Sequence, residues 1–533
     1  MRVGISRIKW SLVLLLGLLP ARMWGQAVGA ISGTVADQAG AVITQAKVTA
    51  TRTDTGISQS TFTNGSGIFI FPNLVVGTYS VAVQAAGFNT KSVNDVTLDV
   101  SQQRELSFSL SVAGSAQTAE VTAALPIMNT TSGQLAGLVT EQQVVDMPLN
   151  GRSIQNLVML QPGMAADQGR MGWLAPQWAS NGNRGETEEA QLDGADASDA
   201  EMGTIQFWNF NLDAIAEFKV LQANYSAEFG QGGGSITQIV TKSGTNQFHG
   251  SAYEFLRNSA FDATNYFATS VPPLHRNEFG VNLGGPILKN KLFFEGEYAG
   301  LRETVGEPTI MSVPTADQRK GLVTIGNYQY QVPLNAVAAA VLNKYPFPNQ
   351  PTGVYGVNTY NIDYTVPSSM NQFSVRIDDT ISNKDSLFGR ASYINNTNSD
   401  NTPVAAIEDP TFTDHLFNDP RNFAIGETHI FTPNLVSVAL FAVNRQVEGD
   451  EPGTTSTTLT TLSNSGYSNY GAVSFITKYI ETYYDPSERI VWNKGRHTHY
   501  HRHRVSLWSR RWNRCFWPRS EWGIYIFTGH ATS

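Results

Sequence analysis

Apolar and polar positions alternate with a period of two along most of the chain, the pattern of strands whose two faces meet different surroundings. The longest such runs lie between Phe248 and Val447: His249–Asn258, Glu278–Gly284, Lys291–Gly300, Gln372–Thr380, Ser386–Asn395, Asn422–Phe431 and Leu435–Asn444. Phe373, Val375 and Ile377 share one face of their run, and Arg376 and Asp378 fall on the other. Leu387, Gly389, Ala391 and Tyr393 oppose Arg390 in the same way. An apolar face and a charged face suit a membrane barrel with a wet interior. A soluble sandwich gives the same alternation. Arg302–Ser369 and Asn396–Arg421, rich in Pro, Asn and Thr, are expected to be extracellular loops.

Shorter runs precede these. Ala30–Val35, Ala46–Thr51, Ile68–Phe71, Thr78–Gln84, Val96–Val100 and Arg104–Leu110 are separated by turn signals at Asp37–Gly40, Thr63–Gly67 and Val76-Gly77. That spacing predicts a β-sandwich over 28–112. Residues 113–126 read as a linker. Beyond it, Val144, Val145 and Met147 precede a Pro148-Leu149-Asn150-Gly151 turn, and Ser153 is placed to cap a helix with Ile154, Leu157, Val158 and Leu160 at helical spacing. Ser235–Thr241 alternates as a half-buried strand, Ser243–Asn246 is a turn, and the character of the chain changes near Thr241–Gly250. Gly230 and Gly232–Gly234 lack the Gly-Lys-Ser/Thr ending of a phosphate cradle, so they read as a kink between strands.

Composition narrows the function. A chain of 533 residues has room for about three or four domains. Its net charge of −8 does not favour nucleic acid. Arg2, Arg7 and Lys9, an apolar Trp10–Leu19, Pro20 and the small Gly25 and Ala27 make 1–27 a secretory signal peptide. Its apolar core is too short for a bilayer, which needs about 20 residues. The single Cys515 leaves no internal disulfide. No Ser-His-Asp set, paired carboxylates in a defined cleft or zinc motif is evident, so neither an enzyme nor a cofactor is expected. Residues 28–112 contain no His or Cys and thus no peptidase zinc site. Asp193, Asp196 and Asp199 lack the regular spacing of a calcium loop and are expected in a solvated loop.

Specific strings then carry a family resemblance. IAEFKV, YSAEFGQGGG, TKSGTNQFHG and YEFLRN follow one another within 213–258; PLNGRS with NLVMLQPG, NGNRGETEEAQLDGADASD at 181–199 and LGGPILKNKLFFEGEYAG at 283–300 accompany them. Together they resemble the Oar-like TonB-dependent outer-membrane receptors. Gly33, Val35, Asp37, Gly40, Asn64, Gly67, Phe69, Phe71, Gly77 and Tyr79 resemble the carboxypeptidase regulatory-like domain, whose fold is transthyretin-like and related to carbohydrate-binding modules. The resemblance implies a mainly β chain: a transthyretin-like β-sandwich (28–112), an α+β plug (127–246) and an incomplete antiparallel transmembrane β-barrel (247–490). It implies a cell outer-membrane location among outer-membrane lipid, an unknown extracellular ligand, and a TonB-type periplasmic coupling protein as partner. The plug motif falls on Asn150, Gly151, Arg152, Ser153, Asp193 and Gly194. The coupling segment, the TonB box, falls on Ala119, Glu120, Val121, Thr122 and Ala123, where strand addition needs little more than accessible backbone. The competing reading is a surface-binding or adhesion protein, which has no need of a plug.

Two departures are expected to matter. Receptors of this kind close at about 22 strands, against the seven runs above, so the chain reads as a truncated piece. Residues 491–533 hold eight Lys and Arg and one acidic residue, leaving 28 basic and 43 acidic before them. They also hold five of the ten Trp and five of the nine His. Arg502, Arg504, Arg510, Arg511 and Arg514 offer no clean lipid face, so the tail is expected to be a shifted reading frame rather than barrel. Otherwise the alternating His497, His499, His501 and His503 become a metal candidate.

Overall fold

The structure, a computed structural model, describes residues 28–113, 120–122, 133–147, 149, 152–167, 177–198, 210–226, 229, 233–264, 271–343, 345–400, 414–452, 462–464, 467–470, 477–494, 497–514 and 517–532. The first unit is a two-sheet sandwich of β1 (Val28–Asp37), β2 (Lys47–Arg52), β3 (Ser58–Phe62), β4 (Ile68–Val75), β5 (Gly77–Gln84), β6 (Lys91–Leu98), β7 (Gln103–Leu110) and β8 (Glu120–Thr122). One sheet runs β4-β1-β7 and the other β3-β2-β5-β6-β8. Alternation builds the core: Val81 and Val83 of β5 meet Leu106, Phe108 and Leu110 of β7 around Ile31, Phe69 and Phe71. Asp37 and Asn64 set the turns with their own side chains, each accepting two backbone N–H groups within 2.8–3.0 Å. Gly33 has no room for a side chain, because a Cβ there would lie 1.9 Å from the Leu106 carbonyl oxygen.

Two strands differ from the sequence pattern. β3, Ser-Gln-Ser-Thr-Phe, is a polar edge strand with almost no apolar face to announce it. β6 begins at Lys91 rather than Val96, because a bulge with Asp95 at φ 56° shifts the register and breaks the alternation.

The second unit contains β9 (Leu135–Thr140), α1 (Glu141–Asp146), α2 (Ile154–Met159), the hairpin β10 (Met164–Asp167) and β11 (Gln177–Ser180), β12 (Glu189–Leu192), β13 (Ala195–Asp196), β14 (Ile215–Ala223) and β15 (Ile236–Thr241). Its sheet has the order β13-β12-β15-β14-β9. α1 was not foreseen; Thr140 and Gln143 close a capping box at its start. Ser153 caps α2 as expected, accepting from the Gln155 N–H. Ile154, Leu157 and Val158 are buried, whereas Leu160 sits past the helix end and is exposed.

The third unit is one large antiparallel sheet. Its strands are β16 (His249–Asn258), β17 (Leu274–Leu288), β18 (Leu292–Ser312), β21 (Thr359–Thr380), β22 (Asp385–Asp400), β23 (Asp414–Asn418), β24 (Arg421–Thr432), β25 (Leu435–Pro452), β28 (Thr477–Lys494), β29 (His497–Arg514) and β30 (Trp517–Thr532). The hairpins β19 (Leu322–Ile325)–β20 (Tyr328–Gln331) and β26 (Leu462–Asn464)–β27 (Tyr467–Tyr470) lie in its loops. Among the described residues β16 and β30 are the two edges, and the sheet is not closed. Alternation is sharp: Phe373, Val375 and Ile377 are about half exposed on the outer face, while Gln372, Arg376, Phe388, Arg390, Asn422 and Ala424 are buried on the inner one.

The long loops are shorter than the sequence suggested. β18 runs 21 residues, against the roughly 9–11 that cross a bilayer, and pairs with β21 from Leu292–Asp379 to Ser312–Thr359. Its Thr, Glu and Pro positions look loop-like, but the ladder needs only backbone, so the strand pair extends past the apolar band. The tail also departs from expectation. β29 continues the sheet beside β28 from Lys494–His497 to Lys478–Asn513, so the sheet does not stop at residue 490. Parity is the reason: Arg504 lies on the inner face, is buried, and meets carboxylates there. His501 and His503, of opposite parity, lie ring against ring with centroids 4.2 Å apart.

Candidate functional site

The second unit sits against the inner face of the large sheet, and polar groups line their boundary. All of β12 and all of β15 are buried, although Glu189, Gln191, Thr237, Gln238 and Thr241 are polar. A buried strand that carries polar side chains needs polar neighbours, which the inner face of a barrel supplies on one side.

Asp193 and Gly194 form the two-residue turn between β12 and β13, at φ 52° and 85°. Asp-Gly suits such a hairpin because both positions need positive φ. The turn aims the Asp193 carboxylate at the wall. Arg376 Nη1 lies 3.0 Å from Oδ1 and Arg390 Nε lies 2.6 Å from Oδ2. Thr241 donates its N–H (2.9 Å) and its hydroxyl (2.8 Å) to the same carboxylate. Burial works to raise the Asp193 carboxyl, but Arg376, Arg390 and the two Thr241 hydrogen bonds outweigh it, so it is held below the usual carboxylate range. Arg376 is in turn gripped through both sides of its fork by Asp378, at 2.9 Å each. The solvated loop expected at Asp193 is therefore a buried ion cluster: Asp193 is fully enclosed.

A second cluster lies nearby. Arg504 of β29 reaches Asp485 (2.7 Å), Asp196 (2.9 Å) and Glu189 (3.6 Å). In both clusters an acid of the inner unit meets a base on the wall, and a wall carboxylate, Asp378 or Asp485, holds that base as well. The polarity reverses at Arg152, which takes a left-handed φ of 44°. It bonds Asp213 at 2.5 Å and Glu278 of β17 at 3.1 Å, and its guanidinium lies 5.0 Å from the Tyr253 ring centre and 4.4 Å from that of Phe255.

A third buried acid holds the inner unit itself. Glu188 accepts from the Ser180 N–H (3.0 Å) and hydroxyl (2.9 Å) and from the Ser235 N–H (2.5 Å) and hydroxyl. Burial raises its carboxyl against these four bonds.

Of the residues singled out in the sequence, Arg152, Asp193 and Gly194 reach the boundary, and Ser153 acts as a helix cap. Asn150 and Gly151 lie outside the described residues, as do Ala119 and Ala123. Glu120, Val121 and Thr122 form β8, paired in parallel with Ser92–Asn94 of β6. Arg376 and Arg390 were read only as the charged face of their strands and Arg504 only as a tail arginine, and Glu188 was not singled out. Asp-Gly after Gln191-Leu192 was the available signal for the turn; nothing local marks the arginines as its partners. Asp385, Glu427 and His429 bring three metal-ligand types within 4.8 Å of one another, but His429 Nδ1 and Asp385 Oδ1 already pair at 2.6 Å.

An inner sheet packed by ion pairs against an open antiparallel wall is the arrangement of a plug against part of an outer-membrane β-barrel. Residues 240–513 match the outer membrane beta barrel domain, and the chain belongs to that family. Residues 30–111 match the carboxypeptidase regulatory-like domain. Over 286 residues, 50% of the chain, it is 23% identical to the TonB-dependent transporter Oar of Myxococcus xanthus, of which this covers 26%. The outer membrane transporter YddB of Escherichia coli aligns with 74% of the chain and 52% of its own, with a TM-score of 0.49 at 10% identity. For the ferric citrate transporter FecA the corresponding figures are 75%, 60%, 0.41 and 12%. The chain thus spans about a quarter of the relative it matches in sequence and about half of the first of these structures.

Proposed function

We propose that the chain acts as a TonB-dependent outer-membrane receptor, exported by way of Met1–Ala27, which admits a large or scarce extracellular ligand by shifting its plug. The observation that carries this is the polar seam at Asp193, Arg376 and Arg390. The plug keeps an apolar core largely its own, built from Val139, Ile154, Leu157, Phe218, Val220 and Ile239. Its boundary with the wall is mainly charged and hydrogen-bonded. Water can replace such contacts one by one, so the plug can move without exposing its core. No covalent chemistry is part of this reading. The coupling protein would add a strand at 119–123 and pull.

A photo-cross-linking residue at Thr122 of the full-length protein tests this in cells that carry a TonB-type protein. The expected result is an adduct with that protein, reduced several-fold by Val121→Pro, which removes a backbone donor from the added strand. No adduct, or one indifferent to Val121→Pro, contradicts it.

A further inference from the structure

The sandwich is docked on the plug and the barrel at once, through groups with no part in its own fold. The Asp99–Gln102 turn between β6 and β7 has Ser101 at φ 53° and presents its backbone to the plug. The Val100 N–H donates to Glu217 Oε1 at 2.5 Å. Lys219 Nζ donates to the carbonyls of Val100 (3.1 Å) and Ser101 (3.3 Å). The Ser101 hydroxyl donates to Gln238 Oε1 at 2.8 Å. Glu217 and Lys219 are two apart on β14, and Lys219 is directly opposite Gln238 of β15, so three side chains of one sheet face grip a single turn. Val100 is buried with Val76 and with Val240 of the plug.

Lys219 is the telling residue. A buried ammonium is costly unless its donors are satisfied, and Lys219 donates to carbonyls of the sandwich. Burial lowers its pKa, with Asp99 and Glu217 opposing. Burial, with Asp99 beside it, raises Glu217 to about 7 against the Val100 N–H and Lys219.

The same domain is tied to the barrel. Asn73 of β4, itself buried, donates to the Thr428 hydroxyl of β24 at 3.1 Å and accepts from Arg489 of β28 at 3.0 Å. Asn246, on the connection between plug and barrel, donates its N–H to the Asp54 carbonyl (3.0 Å) and its side-chain amide to the Thr55 carbonyl (2.7 Å). One folded domain thus holds two parts whose separation, on the proposed function, would open the receptor.

We propose that the N-terminal β-sandwich is a periplasmic latch: while docked it ties the plug to the barrel, and it must let go of one of them before the plug can shift.

Hydrogen exchange on the full chain in liposomes tests this, comparing the native protein with Val100→Asp, which sets a further carboxylate against Glu217, and with Asn73→Ala, which removes the contacts to Thr428 and Arg489. Undocking is read at the Val100 amide, and plug seating at the Thr241 amide, which donates to Asp193 rather than to the sandwich. The Val81 amide, inside the sandwich, shows whether the domain is still folded. The expected result is about tenfold faster exchange at Thr241 in either variant, with faster exchange at residue 100 in Val100→Asp and Val81 unchanged in both. Release at Val100 with Thr241 still at its native rate overturns the latch, since the sandwich would then be a passenger. Native rates at Val100 in both variants overturn the docking contacts themselves. If Val100→Asp alone disturbs Val81, the Asn73→Ala result decides.

Discussion

Asp193→Ala is expected to loosen the plug from the barrel wall by about 3–5 kcal/mol, the usual cost of leaving buried charge without its partner. The loss exceeds that of one salt bridge because a single carboxylate serves two guanidinium groups and two Thr241 donors. Arg376 keeps Asp378, so Arg390 is the group most exposed to the loss. Asp193→Ala combined with Arg390→Leu is therefore expected to recover much of the stability, because apolar replacement of both partners is far less costly than orphaning one. Hydrogen exchange of the β15 peptide measures both, with the single variant exchanging roughly a hundredfold faster or more. Equal effects from the single and double variants would show that the pair is not coupled.

Glu188→Ala is the other large effect. It removes one acceptor group from four donors, two of them backbone N–H groups of Ser180 and Ser235. Each orphaned buried donor costs about 1–3 kcal/mol, so a loss on the order of 3 kcal/mol is expected. Glu188→Gln should recover only part, since its amide NH₂ faces donors where an acceptor is needed. Thermal unfolding of the full chain, followed through exchange at β12, distinguishes the variants. In the native protein Gly234 packs directly on this carboxylate: a Cβ there would lie 2.4 Å from Glu188 Oε1.

How much of this was legible depends on whether the signal is local. The alternation of Phe373, Val375 and Ile377 against Arg376 is local, and the strand was readable with its faces. The same holds for Ser153 before its helix. The bulge at Asp95 hides the first half of β6 because one left-handed residue flips the parity on which the reading relies. The Asp193 cluster joins residues 183 positions apart, and neither arginine differs in sequence from any other inward-facing charge. The inward face of β29 was not legible because Arg504 was weighed against lipid. Its parity points it at Asp485 and Asp196 instead. The family match extends to residue 513, past the point where the resemblance was expected to fade. Length deceived at β18 too, where polar residues continue a ladder that needs only backbone groups.

The outer face of this β-barrel wall is expected to meet lipid, while its inner face meets the plug. Nitroxide scanning of β21 tests it most directly. Single cysteines are placed at Phe373, Ser374, Val375 and Ile377, and at Ile239 in the plug, in the full chain carrying Cys515→Ser, reconstituted in liposomes. High collision rates with dissolved oxygen are expected at 373, 375 and 377, the outer positions that are about half exposed. Low rates with both oxygen and a water-soluble nickel reagent are expected at 374 and 239. Rates that fail to alternate, or ready access of the nickel reagent to 373, 375 and 377, would contradict a lipid-facing barrel.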